Sequence, residues 1–293
     1  MKSTATLLAC ALLAAPAARA QVLSHIDFEN QVVGSDITSI TENGHTWFTF
    51  AGTTADNPEA TATVPGTDIR KQSAPATLVA GDFSPGFGYL ETEGDAFSLS
   101  DTDWTIECFV RFSAVGGFQT ILGRDRDPAE TRTSFADLYF QKDSGDRFSC
   151  SYVAGFINNG GGNYTIDRPY VQSDGLVAIA GRWYHLAVVY DGTARTLTLY
   201  VNRDIVAQLA DANNIAPVTN PVGEIWSVGR GYYAGNPVDN LNGQIDDLRI
   251  TAAALTPDQF LAAGVCNADI NNDGSVDMFD VIDFLVGVDA GCN

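Results

Sequence analysis

Positive charge is scarce in this chain. Lysine occurs three times and arginine thirteen times in 293 residues, against 36 acids, for a formal net charge of −20. Nucleic-acid binding draws its dominant affinity term from a basic surface that releases counterions, and docking on an anionic membrane needs the same sign. The composition excludes both as main roles. Histidine is equally sparse (His25, His45, His185), with no HExxH pattern, and no Cys-x-x-Cys or Cys/His cluster offers a zinc site. A Gly-x-Ser-x-Gly nucleophile turn is missing. No segment reaches the roughly eighteen consecutive apolar residues of a membrane helix. Apolar residues still make up 45% of the chain and aromatics 10%, so it is not a disordered acidic tail, and it holds material for one large core or two modest ones.

The first twenty residues read as a secretory signal. Met1-Lys2 is a short positive start, Leu7 to Ala15 is apolar, and Ala18-Arg19-Ala20 is a small-x-small site, so the mature chain is expected to begin at Gln21. Lipoprotein processing at Cys10 is the alternative. Four cysteines then remain, which permits two disulfides in three pairings. Cys108–Cys150 with Cys266–Cys292 is the favoured pairing, because each bridge stays within one domain.

From Gln21 to Leu255 short alternating runs dominate. Trp104, Ile106, Cys108, Val110 and Phe112 share one face of a run whose other face carries Thr105, Glu107 and Arg111, with Phe109 the exception. That is the period of a half-buried strand. Leu197, Leu199 and Val201 repeat it, and Asp191-Gly192 between two such runs signals a hairpin. Further strands are expected at Tyr89–Glu91, Gln119–Gly123, Leu138–Gln141, Arg147–Val153, Ile225–Val228 and Ile245–Ile250. Many short strands without interleaved helices predict an all-β antiparallel sandwich or barrel.

Three segments in order resemble one family. Trp183-Tyr-His-Leu-Ala-Val-Val-Tyr-Asp-Gly192 with Leu197-Thr-Leu-Tyr-Val-Asn202, then Gly243-Gln-Ile-Asp-Asp-Leu-Arg-Ile250 with Ala254-Leu-Thr-Pro-Asp-Gln-Phe260, are similar to signatures of concanavalin A-like lectin/glucanase domains of the laminin G type. Trp104-Thr-Ile-Glu-Cys-Phe-Val110 is a weaker match. Arg203 stands where the family usually has glycine. The resemblance covers residues 85 to 263 and implies a two-sheet jelly roll over residues 21–255, of a kind that often binds glycans or proteins. It also implies a calcium habit: Asp27 or Glu29 on the first strand would meet Asp246 or Asp247 on the last.

Catalytic relatives carry a Glu-x-Asp-x-x-Glu strand. Glu91-Thr-Glu93-Gly-Asp95 is the nearest run here, with glutamate at the central position and Ala96 at the last. Asp246 and Asp247 are adjacent, and on a regular strand would face opposite sides. The domain is therefore read as non-catalytic. Candidate ligand groups are the Arg124-Asp-Arg-Asp127 loop, with Arg124 and Asp125 foremost, the Asn158–Asn163 loop, and Trp226, Tyr232 and Tyr233, whose rings suit the C–H face of a sugar.

Thr256-Pro-Asp-Gln259 is a capping-box helix start, predicting a short linking helix within residues 256–265. Residues 266–293 then carry the sharpest motif. Asp269, Asn271, Asp273, the Ser275 carbonyl, Asp277 and Asp280 fall at positions 1, 3, 5, 7, 9 and 12 of an EF-hand loop, with Gly274 at position 6. Calcium, which wants six to eight oxygens, is the expected cofactor. Asp280 stands where the EF-hand loop usually has glutamate, which resembles the dockerin variant, and Cys266 to Leu285 resembles one dockerin type I repeat. Cohesin-binding dockerins carry two repeats and this tail has one, which favours a surface-attachment tag over cohesin binding. The chain is thus expected to be an exported binding module for an extracellular glycan or protein, held by a calcium-binding tail. A divergent polysaccharide-active enzyme and a structural envelope protein are the alternatives.

Overall fold

The structure, a computed structural model, describes residues 20–50, 57–66, 69–70, 77–84, 88–94, 96–99, 102–126, 131–217 and 225–262. Two eight-stranded sheets lie face to face. The first contains β1 (Gln21–Ile26), β4 (Glu59–Thr61), β5 (Ala80–Asp82), β7 (Trp104–Phe112), β14 (Trp183–Asp191), β15 (Thr196–Val201), β16 (Asp204–Leu209) and β20 (Gly243–Ala252). The second contains β2 (Ser39–Glu42), β3 (His45–Phe50), β6 (Tyr89–Thr92), β8 (Gln119–Arg124), β9 (Leu138–Lys142), β10 (Arg147–Tyr152), β13 (Tyr170–Val177) and β17 (Trp226–Val228). Two separate hairpins, β11 (Gly155–Gly160) with β12 (Asn163–Asp167) and β18 (Gly231–Tyr233) with β19 (Asn236–Val238), complete the set. The first sheet runs β16-β15-β14-β7-β20-β5-β4, with β1 on the far end of β20; the second runs β13-β10-β9-β8-β17-β6-β3-β2. All pairings are antiparallel. No helix among the described residues is long and apolar enough to cross a membrane.

The period-two pattern sets the layers. Trp104, Ile106, Cys108, Val110 and Phe112 enter the core, where they meet Leu122, Phe140, Cys150, Tyr152, Trp226 and Val228 from the opposite sheet. Phe109 breaks the alternation because the outer side of its sheet is also covered. Leu255, Phe260 and Ala262 lie there in a second apolar cluster with Ala187, Val189 and Tyr200. Phe260 sits against Tyr200 (5.2 Å between rings) and His185 (5.5 Å).

Three expectations are corrected. The linking helix is a three-residue 3-10 turn, Pro257–Gln259, after which Phe260 is extended (φ −65°, ψ 158°). The capping bond from the Thr256 amide to Gln259 forms (2.9 Å), but the apolar residues at 260 and 262 are drawn down onto the sheet and end the turn. Cys108 and Cys150 are free thiols, both fully buried. They stand on opposite sheets, and facing sheets pack about 10 Å apart, beyond the roughly 4.4–6.8 Å between Cα atoms that a bridge needs. Burial pushes both thiols up. Asp246 and Asp247 do not face opposite sides: a bulge between Asp246 and Arg249, with Asp247 at φ +48°, inserts a residue and brings both carboxylates into one buried cluster.

Candidate functional site

Along β9, β10 and β13 the inward residues are Leu138, Phe140, Phe148, Cys150, Tyr152 and Val171. Alternation therefore turns Tyr139, Gln141, Ser149, Ser151, Tyr170 and Gln172 to the outer face of the second sheet. The hairpin β18–β19 crosses this face. Its carbonyl at Tyr232 accepts hydrogen bonds from the Tyr139 hydroxyl and the Ala136 amide. A Cβ at Gly231 would stand 2.7 Å from the Tyr139 ring and 2.8 Å from Thr120 Oγ1, so only glycine lets β18 lie this close to the sheet.

Beside it opens a groove of about 450 Å³ lined by Phe118, Gln141, Asp143, Ser144, Arg147, Ser151, Arg168, Tyr170 and Gln172. Phe118 (45% exposed) and Tyr170 (47%) leave their rings half in solvent. The turn before Phe118 is fixed by buried Lys142, whose Nζ donates to the Gly117 carbonyl (2.8 Å) and Asp146 (2.7 Å). Asp143 is the one carboxylate among the described residues of the lining. It accepts from the amides of Gly145 (2.8 Å) and Arg147 (2.9 Å), from Arg147 Nε and the terminal guanidinium nitrogen (3.1 and 2.8 Å), and from Gln172 (2.6 Å). Burial alone would raise it, but these bonds outweigh burial and hold the carboxyl below its ordinary range. Arg168 lies 4.1 Å over the Phe135 ring and donates to Ser151 Oγ (2.9 Å).

None of the sequence candidates lines this groove. Trp226 is wholly buried; its indole donates to the Phe97 carbonyl (3.0 Å) and stacks on the Phe97 ring (4.7 Å). Arg124 is 1% exposed, lies over Trp226 and reaches the Ala216 carbonyl (3.3 Å). Asp125 is buried and bound by Arg230 (2.6 Å), which also holds Glu91, and Arg230 itself is 2% exposed. These three candidates are corrected to core and buried-ion roles. Tyr232 is half-buried and Tyr233 exposed, both on the crossing hairpin. Asn158–Asn163 forms the tip of the β11–β12 hairpin.

Asp27 and Glu29 lie in the turn after β1, not on the first strand, and this turn does bring acids toward those of the last strand. Thr77 Oγ1 lies within hydrogen-bond distance of both Glu29 (2.9 Å) and Asp246 (2.7 Å), His25 contacts Asp247 (2.8 Å), and the Asp27 amide faces Glu42 (3.3 Å). Burial pushes Asp246 up to about 7, and burial with the Asp27 charge pushes Glu42 up to about 8. A cation is already built in, since Arg70 pairs with Asp247. Among the described residues no group of three or more Asp, Glu, His or Cys is arranged to hold a metal. Among the described residues, Asp27, Glu29, Asp246 and Asp247 are not arranged to hold calcium, because the Arg70 guanidinium already sits in their cluster.

Under the segment that crosses the first sheet, Glu107 is fully buried, bound by His185 (2.9 Å), Arg249 Nε (2.7 Å) and the Leu261 amide (2.9 Å). Burial would raise this carboxyl, but those partners hold it low. The cluster is covered and offers no entry for substrate. Asp269, Asn271, Asp273, Ser275, Asp277 and Asp280, with Cys266 and Cys292, lie outside the described residues, as does the leader before Ala20.

The laminin G-type profile of the concanavalin A-like lectin/glucanases superfamily matches residues 84–260, more than half of the chain. The chain belongs to the concanavalin A-like lectin/glucanases superfamily. No curated protein sequence matches it. Domain 4 of AbnA, a GH43 extracellular arabinanase from Geobacillus stearothermophilus solved with arabinotriose, is similar at 18% identity over 82% of this chain and 96% of that one (TM-score 0.48). The Ruminococcus gnavus IT-sialidase CBM40 bound to α2,3-sialyllactose is similar at 14% identity over 56% and 83% (TM-score 0.42). A heptameric SAP-like pentraxin from Limulus polyphemus is similar at 16% over 60% and 75% (TM-score 0.38).

Proposed function

We propose that this superfamily member is an exported, non-catalytic module that binds a glycan in the groove on the outer face of its second sheet. The lining carries the reading. Two half-exposed rings, Phe118 and Tyr170, flank amides, hydroxyls and guanidinium groups that can meet sugar hydroxyls. Glycoside hydrolysis needs two carboxyl groups about 5–9.5 Å apart. Among the described residues the groove has one, Asp143, and its oxygens are engaged by Arg147, Gly145 and Gln172. This supports binding without turnover.

The proposal extends to both ends of the chain. Removal of residues 1–20 would release the mature protein outside the cell. The tail from Cys266 to Asn293 would bind calcium through Asp269, Asn271, Asp273, Ser275, Asp277 and Asp280, be closed by Cys266–Cys292, and hold the module to a surface or a cohesin-like partner. The EF-hand register and the dockerin resemblance support it.

The test is a glycan array probed with the mature chain, in calcium and in chelator, beside Tyr170→Ala. Defined hits that weaken at least tenfold in the variant are expected. A blank array, or hits that Tyr170→Ala leaves unchanged, would overturn the assignment of the groove.

A further inference from the structure

We propose that the groove selects a sugar bearing an anionic group, a carboxylate or a sulfate ester, and that Arg168 is the residue that meets it. This rests on the glycan-binding reading above. The two arginines of the lining are unlike each other. Arg147 is neutralised by Asp143. Arg168 has no carboxylate partner among the described residues: its guanidinium stacks on Phe135 and Tyr139, one terminal nitrogen donates to Ser151 Oγ, and its Nε is buried without a partner. The adjacent Asp167 is turned away to Asn213 (2.6 Å).

In a chain with 36 acids and 16 bases, an arginine held in a groove by aromatic rings and a hydroxyl, with no carboxylate beside it among the described residues, is open to an anion brought by a ligand. Arg230, Arg249 and Arg147 each have a carboxylate within 3 Å. A half-buried cation that lacks one has exchanged water for stacking and one neutral hydrogen bond only, and burial lowers its hold on the proton. An anion supplied by the ligand restores the balance. Stacking and the Ser151 bond hold the guanidinium in place beforehand, so little ordering is left to be done on binding. The net charge of −20 opposes an anionic ligand only at long range, because the Debye length at physiological salt is about 8 Å. The charged lining residues are two arginines and the Arg147-bound aspartate.

The experiment is an array of neutral, carboxylated and sulfated glycans at physiological salt, probed with the mature chain, Arg168→Gln and Arg168→Lys, with melting temperatures measured in parallel. Anionic hits are expected, weakened about tenfold to a hundredfold by Arg168→Gln, the range of one charge-assisted hydrogen bond, and partly kept by Arg168→Lys. Carboxylated and sulfated members separate the two sources. Reducing the acid of a hit to its alcohol, or removing its sulfate, must cost the wild type a similar factor and Arg168→Gln nothing further. This ligand comparison on the wild type decides the matter even if the variant unfolds. Neutral hits alone, or anionic hits indifferent to both changes, overturn the role of Arg168 and leave glycan binding standing. A blank array for the wild type overturns both.

Discussion

Arg230→Met isolates the buried charges at the base of the crossing hairpin. Arg230 is 2% exposed, binds Asp125 through both terminal nitrogens (2.6 and 2.9 Å) and Glu91 through Nε (2.8 Å), and lies 5.2 Å over the Tyr89 ring. Methionine keeps much of the apolar stem but leaves two carboxylates without their cation. Removing one partner of a buried pair costs about 3–5 kcal/mol, because the remaining charge has neither water nor counter-ion. For a body of this size that lowers Tm by about 10 °C.

The deficit must also depend on pH. Burial already raises Glu91 and Asp125, with Arg230 working against it. Without Arg230 both rise further. The folded state then keeps protons that the unfolded chain has released above about pH 4, so stability falls as pH rises through that window. Thermal unfolding of Arg230→Met should therefore show a larger loss at pH 7.5 than at pH 5, and Glu91→Gln with Asp125→Asn in that background should recover part of it. A Tm within about 2 °C of wild type at pH 7.5, or the opposite pH dependence, would refute the reasoning.

Cys108 and Cys150 should resist thiol reagents in the native protein and each take one label after denaturation without reductant; a mass showing them bridged would contradict the core geometry. Calcium should protect the tail of the full mature chain from proteolysis, and Asp273→Ala should abolish that protection while the body's melting is unchanged by calcium or chelator. A calcium-dependent shift of the body in that variant would restore a metal site at the Asp246 cluster.

Much of the sandwich was legible because period two survives on strands buried on one face. The run 104–112 coincides with β7, and 195–201 misses β15 by one residue. Strands β2, β4 and β5 went unread because they are three or four residues long, too short for a period to register. The groove was illegible for another reason. Gln141, Ser151 and Gln172 are the ordinary polar alternates of half-buried strands, and nothing local says that β9, β10 and β13 set them side by side. Trp226 and Arg124 were misplaced because their chemistry suits a sugar and a core equally well; burial decides, and it comes from the pairing of β17 with β6 and β8 and of β8 with β9. The one available signal was the pair of aromatics at 118 and 170, each beside a turn and off the core period.

The segment that lays Phe260 and Ala262 over the first sheet also sets a direction. It carries the chain to residue 262 on the back of the sandwich, while the groove opens on its front. A body fastened through its C-terminal end would present its groove outward and unobstructed. Copies fastened side by side would form a layer of grooves facing one way, so that a weak individual grip on a repeating polymer would add up to strong retention.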